Sequence, residues 1–180
     1  DPAYVAHLSH GRRSIETVRE LLPLLSDDAQ EAENLEVERR EMEDRDGVEA
    51  IPGARELLAS LPLDRWAVVT SATRPLTEVR LRYAGLPVPA NLITAEMVVN
   101  GKPHPEPYLR GAELLGVAPA ECIVLEDVAA GIRAAKSAGM RVIALTTTIS
   151  ADQLTEADCI VQDLTALRVN VEADRLIVSC

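Results

Sequence analysis

The 180-residue sequence contains no phenylalanine, one tryptophan and three tyrosines. Stacking platforms for single-stranded nucleic acid are built from aromatic side chains, so this scarcity speaks against that partner. Basic charge is scarce as well: 29 Asp and Glu stand against 18 Lys and Arg, for a net charge of -11. A duplex or an anionic membrane surface needs a basic footprint, and neither is expected as a partner. No stretch approaches the roughly 18 uninterrupted apolar residues of a membrane-spanning helix. The opening DPAYVAHLSH lacks the basic-then-apolar order of a secretory signal. The three cysteines, Cys122, Cys159 and Cys180, have no metal-ligand spacing. Cys122 and Cys159 lie in apolar runs and read as small buried hydrophobes, so a reduced, cytoplasmic location is expected.

What is present is a chain with 47% apolar residues, enough for one core and a small appendage. Its character changes near residue 50. Before that point the pattern is helical. Asp1 and Pro2 suit a helix start. Ile15, Val18, Leu21 and Leu22 fall on one stripe. A long helix opens at the N-cap Ser26 and is charged on most faces, with Leu35 and Met42 as sparse anchors. From residue 51, short apolar runs alternate with helices: a helix over ARELLASL, strands at 65–70, 91–95, 122–127, 141–145 and 159–163, and helices at 75–85, 105–116 and 129–139. A short helix is expected near SADQLTEA. RVNVEADRLIVSC is a closing hairpin with EADR as its turn. Strands separated by helices imply an α/β fold with a doubly wound parallel sheet.

In such sheets ligands lie at the carboxyl ends of the strands. Three of those ends carry reactive groups. VVTSAT runs into Thr70, Ser71 and Thr73. NGKPHPEPY carries Lys102, one of only two lysines, the other being Lys136 in mid-helix. IVLEDVAAG places Glu126 and Asp127 directly after an apolar run. Each has a plain structural alternative: Ser71 as a helix cap, the two acids as helix-start charges. Together they make chemical sense. A hydroxyl and a compact ammonium hold a phosphate, two carboxylates hold a magnesium ion, and the helix start at Ala129 to Gly131 offers free N–H groups.

VVTSAT, GKPHPEPY and LEDVAAGIRAAKSAGMRVIAL, in this order and spacing, resemble motifs two, three and four of the haloacid dehalogenase-like phosphatases. The likeness spans roughly residues 1 to 165. It points to the branch that holds phosphoglycolate phosphatase, beta-phosphoglucomutase and small sugar and polyol phosphatases. The resemblance implies a Rossmann-like core from 49 to 180 and a partial helical cap from 1 to 48. It implies that Ser71, with the Ala72 N–H and Thr73 nearby, holds the phosphoryl group, and that Lys102 neutralises it. Asp127 and Glu126 would hold Mg2+. In HGRRSIETV, Gly11 would approach the site and Arg12 or Arg13 would contact substrate. The reaction implied is hydrolysis of a small phosphate monoester through an aspartyl-phosphate, by a monomer or homodimer acting on a small phosphorylated metabolite.

EMEDRDGVEA contains Asp44-Arg45-Asp46-Gly47, which has the form of the family's nucleophile motif. That motif ends a buried apolar strand, whereas EVERREME cannot form one. Asp46 and Gly47, followed by Pro52 and Gly53, read instead as a hinge. The nucleophile strand is therefore absent from the sequence, and a preceding segment of a few tens of residues is expected. Such a strand, burying several apolar side chains at about 1.5–3 kcal/mol each, would matter to stability. A phosphomutase of the same family and a non-catalytic module lacking its nucleophile are the alternatives. The paired acids argue against a metal-free dehalogenase.

Overall fold

The computed structural model describes residues 1–172 and 175–180. Three helices come first: α1 (Pro2–Ser9), α2 (Ser14–Leu21) and α3 (Asp27–Glu43). Of the expected stripe Val18 is buried and Ile15 and Leu21 are half-buried, whereas Leu22 follows α2 and is exposed. At the start of α3 the Ser26 hydroxyl accepts the Ala29 N–H at 3.3 Å. Asp27 and Asp28 in its first turn complement the positive end of the helix dipole. Leu35 is not an anchor as expected; it is 59% exposed, while Gln30 and Asn34 are buried. These amides join the helices by hydrogen bonds. Gln30 Nε2 donates to the Leu22 carbonyl at 2.9 Å, and Ser14 Oγ donates to Asn34 Oδ1 at 2.6 Å. A buried polar group is stable there because it is paired.

The hinge follows α3. The Asp46 N–H donates to Asp44 Oδ1 at 3.2 Å, and Gly47 has φ +74°. Asp44 and Asp46 thus form an exposed turn and not a strand end. Gly53 opens α4 (Ala54–Ser60) with φ +83°, and a Cβ there would lie 2.6 Å from the Thr165 nitrogen. Both the backbone conformation and the close approach require glycine.

The remaining elements alternate as expected: β1 (Val68–Val69), α5 (Arg74–Tyr83), β2 (Leu92–Ile93), α6 (Glu106–Leu115), β3 (Ile123–Glu126), α7 (Ala129–Ser137), β4 (Arg141–Leu145) and β5 (Cys159–Val161). The stretch near SADQLTEA is a single tight turn of helix, Ala151–Gln153. All pairings among β1 to β5 are parallel, but the sheet is in two pieces, β1-β2 and β3-β4-β5. β1 and β2 are shorter than their apolar runs. A cavity of about 1580 Å³ is lined by both Val68–Val69 and Ile123–Glu126, so it reaches into the space between the pieces. The core gathers around α7 and β4, where Ile132, Ala134, Ala135, Val142, Ala144 and Leu154 are almost fully buried.

The chain closes with an antiparallel hairpin, β6 (Arg168–Val171) and β7 (Leu176–Ser179). Within its expected EADR turn, Ala173 and Asp174 lie outside the described residues. The hairpin returns the chain end to β5, where Cys180 is joined to Cys159 in a disulfide. This corrects the reading of Cys159 as a free buried thiol: the partner is 21 residues away, and only the hairpin brings it close. Cys122 remains free and half-buried. No helix of the described residues is long and apolar enough to cross a membrane.

Gly53→Ala is expected to destabilise the protein by about 1–3 kcal/mol, since it forces a side chain into the left-handed region and against backbone. Urea unfolding measures this; an unchanged midpoint would contradict the role given to Gly53.

Candidate active site

Lys102 follows Gly101 in the loop between β2 and α6. Its ammonium donates to Glu126 Oε1 at 2.5 Å and stands 4.8 Å from the centre of the Tyr108 ring. Both Lys102 and Glu126 are buried. The Tyr108 hydroxyl donates to the same Oε1 at 2.8 Å, while Oε2 accepts the Asp127 N–H at 2.8 Å and the Val128 N–H at 3.1 Å. A carboxylate has about four lone-pair directions, and four donors occupy them. Burial raises the Glu126 pKa, but the Lys102 charge and these hydrogen bonds more than offset it, and the net shift is downward. Burial, reinforced by Glu126, pushes the Tyr108 hydroxyl up.

Glu126 is therefore used differently from the expectation that it ligates metal. Its lone pairs hold Lys102, Tyr108 and the first N–H groups before α7. Gly131 has a matching role. A Cβ at that position would lie 1.8 Å from Glu126 Oε1, so the carboxylate folds over the helix turn only because residue 131 has no side chain. Among three ammonium N–H groups, one serves Glu126, which leaves Lys102 donors for an anion.

Asp127 is half-buried beside this pair, and the Thr148 hydroxyl donates to its Oδ2. Burial raises its pKa; Thr148 opposes this and the Glu126 charge adds to it. Ser71 does not cap α5; the residue before that helix is Thr73, whose side chain makes no cap bond. Instead Ser71 Oγ donates to the Gly11 carbonyl at 2.8 Å. Gly11 in turn lies so close to Val128 that a Cβ would fall 2.5 Å from its Cγ2. The Ala72 N–H is engaged by Thr70 Oγ1 at 3.1 Å.

Gly11, Arg12, Ser71, Ala72, Thr73, Lys102, Glu126 and Asp127 line one cavity. Arg12 reaches Glu20 at 2.7 Å. Arg13 does not line it; its guanidinium is bound to Glu16 and to the Val98 and Val99 carbonyls. That corrects its assignment as a substrate contact. Tyr108 and Thr148 were not singled out in the sequence. Tyr108 had a signal in the GKPHPEPY stretch, whereas Thr148 sits in TTTIS with nothing to mark it. Among the described residues, no group of three His, Cys, Asp or Glu side chains is placed to hold a metal alone. An oxygen-rich set with the half-buried Asp127 carboxylate, held by Thr148, still suits Mg2+, which commonly takes one or two carboxylates and fills its other positions with phosphate and water.

The family model for haloacid dehalogenase-like hydrolases matches residues 3–139. The chain belongs to the haloacid dehalogenase-like hydrolases. Among its relatives, hexitol phosphatase A of Escherichia coli is 38% identical over 173 residues, covering 93% of this chain and 79% of the relative. Glycerol-1-phosphate phosphohydrolase 1 of Saccharomyces cerevisiae is 36% identical over 191 residues, covering 98% of this chain and 76% of the relative. The beta-phosphoglucomutase structure from Clostridium difficile superposes with a TM-score of 0.80 at 22% identity, over 92% of this chain and 78% of that one. At that identity the superposition speaks for the fold. The hydrolase fold thus carries a buried Lys102–Glu126 pair at the base of the cavity.

Lys102→Met keeps the stem of this hydrolase's lysine but strands Glu126 as a buried charge. It is expected to cost about 3–5 kcal/mol, with most of the loss returned by the double variant Lys102→Met/Glu126→Gln. Denaturant unfolding of the three proteins gives the comparison; additive losses would mean that the two groups are not coupled.

Proposed function

We propose that this hydrolase releases phosphate from a small sugar or polyol phosphate monoester, with residues 1–48 as a cap over a core formed by 49–180. The observation that carries the reading is that Ser71, Lys102 and Asp127 line one cavity, with Ser71 bonded to the Gly11 carbonyl. The relatives named for hexitol and glycerol-1-phosphate substrates support the substrate class. The mutase likeness is one of fold at 22% identity and gives no reason to prefer phosphate return to the substrate.

The chemistry is electrostatic positioning. Ser71 would exchange the Gly11 carbonyl for a phosphoryl oxygen. Lys102 would turn its remaining N–H groups to the same group while Glu126 and Tyr108 hold its position. Asp127, steadied by Thr148, would ligate Mg2+. A bound magnesium ion supplies positive charge to the phosphoryl oxygens. Arg12 faces the cavity from the cap loop and suits the substrate's distal part.

A nucleophilic carboxylate would reach the phosphoryl group through the space between β1 and β3. Two strand edges line that space, and the buried Trp66 Nε1 beside it has no hydrogen-bond partner. Asp44 and Asp46, in the exposed hinge, are excluded from that role by position.

A phosphate-release screen over hexitol, glycerol, 2-deoxyglucose and glycolate phosphates tests the activity. Release is expected with Mg2+ and is lost on chelation. Asp127→Asn is expected to lower kcat by about 10²-fold or more, as when other charge-stabilising groups are lost. Borohydride trapping of the phosphoenzyme expressed from its own gene, followed by peptide mapping, locates the nucleophile. A label on Asp44 or Asp46, or sugar-phosphate isomers interconverting without free phosphate, would sink the reading.

A further inference from the structure

We infer that Arg13 and Glu16 form a latch that docks the cap onto the loop presenting Lys102, with Gly101 as its seat. Arg13 Nε donates to Glu16 Oε1 at 2.7 Å. Its two terminal nitrogens reach across to the core, NH1 to the Val98 carbonyl at 3.3 Å and NH2 to the Val99 carbonyl at 3.0 Å. The planar guanidinium fork suits two successive acceptors and a carboxylate at once. These contacts span 85 and 86 residues of sequence.

The segment they grip is held from its other side. The Glu106 carboxylate accepts the Val99 N–H at 2.9 Å, the Asn100 N–H at 2.9 Å and the Asn100 side-chain amide at 3.0 Å. Val99 thus has its N–H fixed by the core and its carbonyl fixed by the cap. Gly101 comes next, and a Cβ there would lie 2.8 Å from Glu16 Oε1 and 2.9 Å from Arg13 Nε. No positive φ is recorded for Gly101, so what requires glycine is the room for the latch. Lys102 follows directly.

Arg13 is a positioning residue. It stands outside the cavity that Arg12 lines, and its side chain is 18% exposed. The same cap loop accepts a hydrogen bond from Ser71 and abuts Val128 through Gly11. Releasing the latch would therefore loosen the Lys102 loop and the cap together. The kinetic consequence rests on the phosphatase reading; the latch itself does not.

Arg13→Ala, Gly101→Ala, their double variant and Arg13→Lys are compared with the unaltered full protein by steady-state kinetics and by deuterium uptake of residues 98–101. Arg13→Ala is expected to lower kcat about tenfold, in keeping with loss of a charge-assisted hydrogen bond. The factor should be the same on every accepted substrate, with KM changing less. Gly101→Ala should reproduce this because its methyl group unseats the pair. The double variant should fall within about twofold of either single one, since both remove the same contact. Arg13→Lys keeps the charge without the fork and should restore only a minor part. Deuterium uptake at 98–101 should rise in both single variants while β3 and β4 stay protected. Losses that multiply, a KM effect that varies with substrate, or unchanged uptake at 98–101 would overturn the latch. So would a uniform rise that includes β3 and β4. If no monoester is hydrolysed, the phosphatase reading fails, and the uptake comparison alone still decides the latch.

Discussion

The ion pair between Lys102 and Glu126 ties together the parts of the molecule that meet at the cavity. Taking two charges out of water costs several kcal/mol per ion, and the pair survives because Glu126 has no lone pair left unanswered. Lys102 and Tyr108 serve one oxygen, and the Asp127 and Val128 N–H groups serve the other. Those donors come from the loop after β2, from α6 and from the turn after β3. One carboxylate therefore fixes three segments relative to one another. Gly131 extends the constraint to α7, because only a residue without Cβ lets the carboxylate lie there.

This arrangement also divides two adjacent acids into different tasks. Glu126 is held ionised by its partners, whereas burial and the neighbouring negative charge raise Asp127. A carboxylate made costly to ionise by its surroundings gains from a cation that arrives with the substrate. The strongly acidic chain would repel a phosphate dianion at long range. Within the cavity Lys102 and Arg12 offer positive charge beside Glu126 and Asp127, at distances where local charge outweighs net charge.

Most of the architecture was legible because periodicity reports burial. The run RVIAL became β4 as read, CIVLED became β3 with one residue lost at each end, and the 129–139 helix became α7, ending two residues earlier. Candidate residues were legible where polar groups follow such runs at strand ends, as at Ser71 and Glu126-Asp127, whereas Lys102 lies well beyond β2 in the loop before α6. What stayed hidden depends on contacts across the chain. Arg12 and Arg13 are identical neighbours, and nothing in HGRRSIETV tells which faces the cavity; Arg13, the residue before α2, bonds the Val98 and Val99 carbonyls instead. Leu35 looked like an anchor because it was the apolar residue available, yet the α2–α3 contact is made by Asn34 and Gln30 through paired amides. Cys159 and Cys180 had no spacing signal, since a hairpin and not a short loop unites them.

The stretch from Gly11 to Glu16 touches each of the segments that carry the candidate site residues. Its Gly11 carbonyl takes the hydroxyl of Ser71, its Gly11 Cα presses on Val128 next to Asp127, and Arg13 holds the carbonyls that precede Lys102. Each of the three groups read as phosphate-handling thus has a neighbour, or is itself a partner, of one six-residue stretch. Packed contacts of this kind switch between discrete arrangements and do not deform continuously. If the loop lifts, Ser71 loses its acceptor and the Lys102 loop loses its outer support in the same movement.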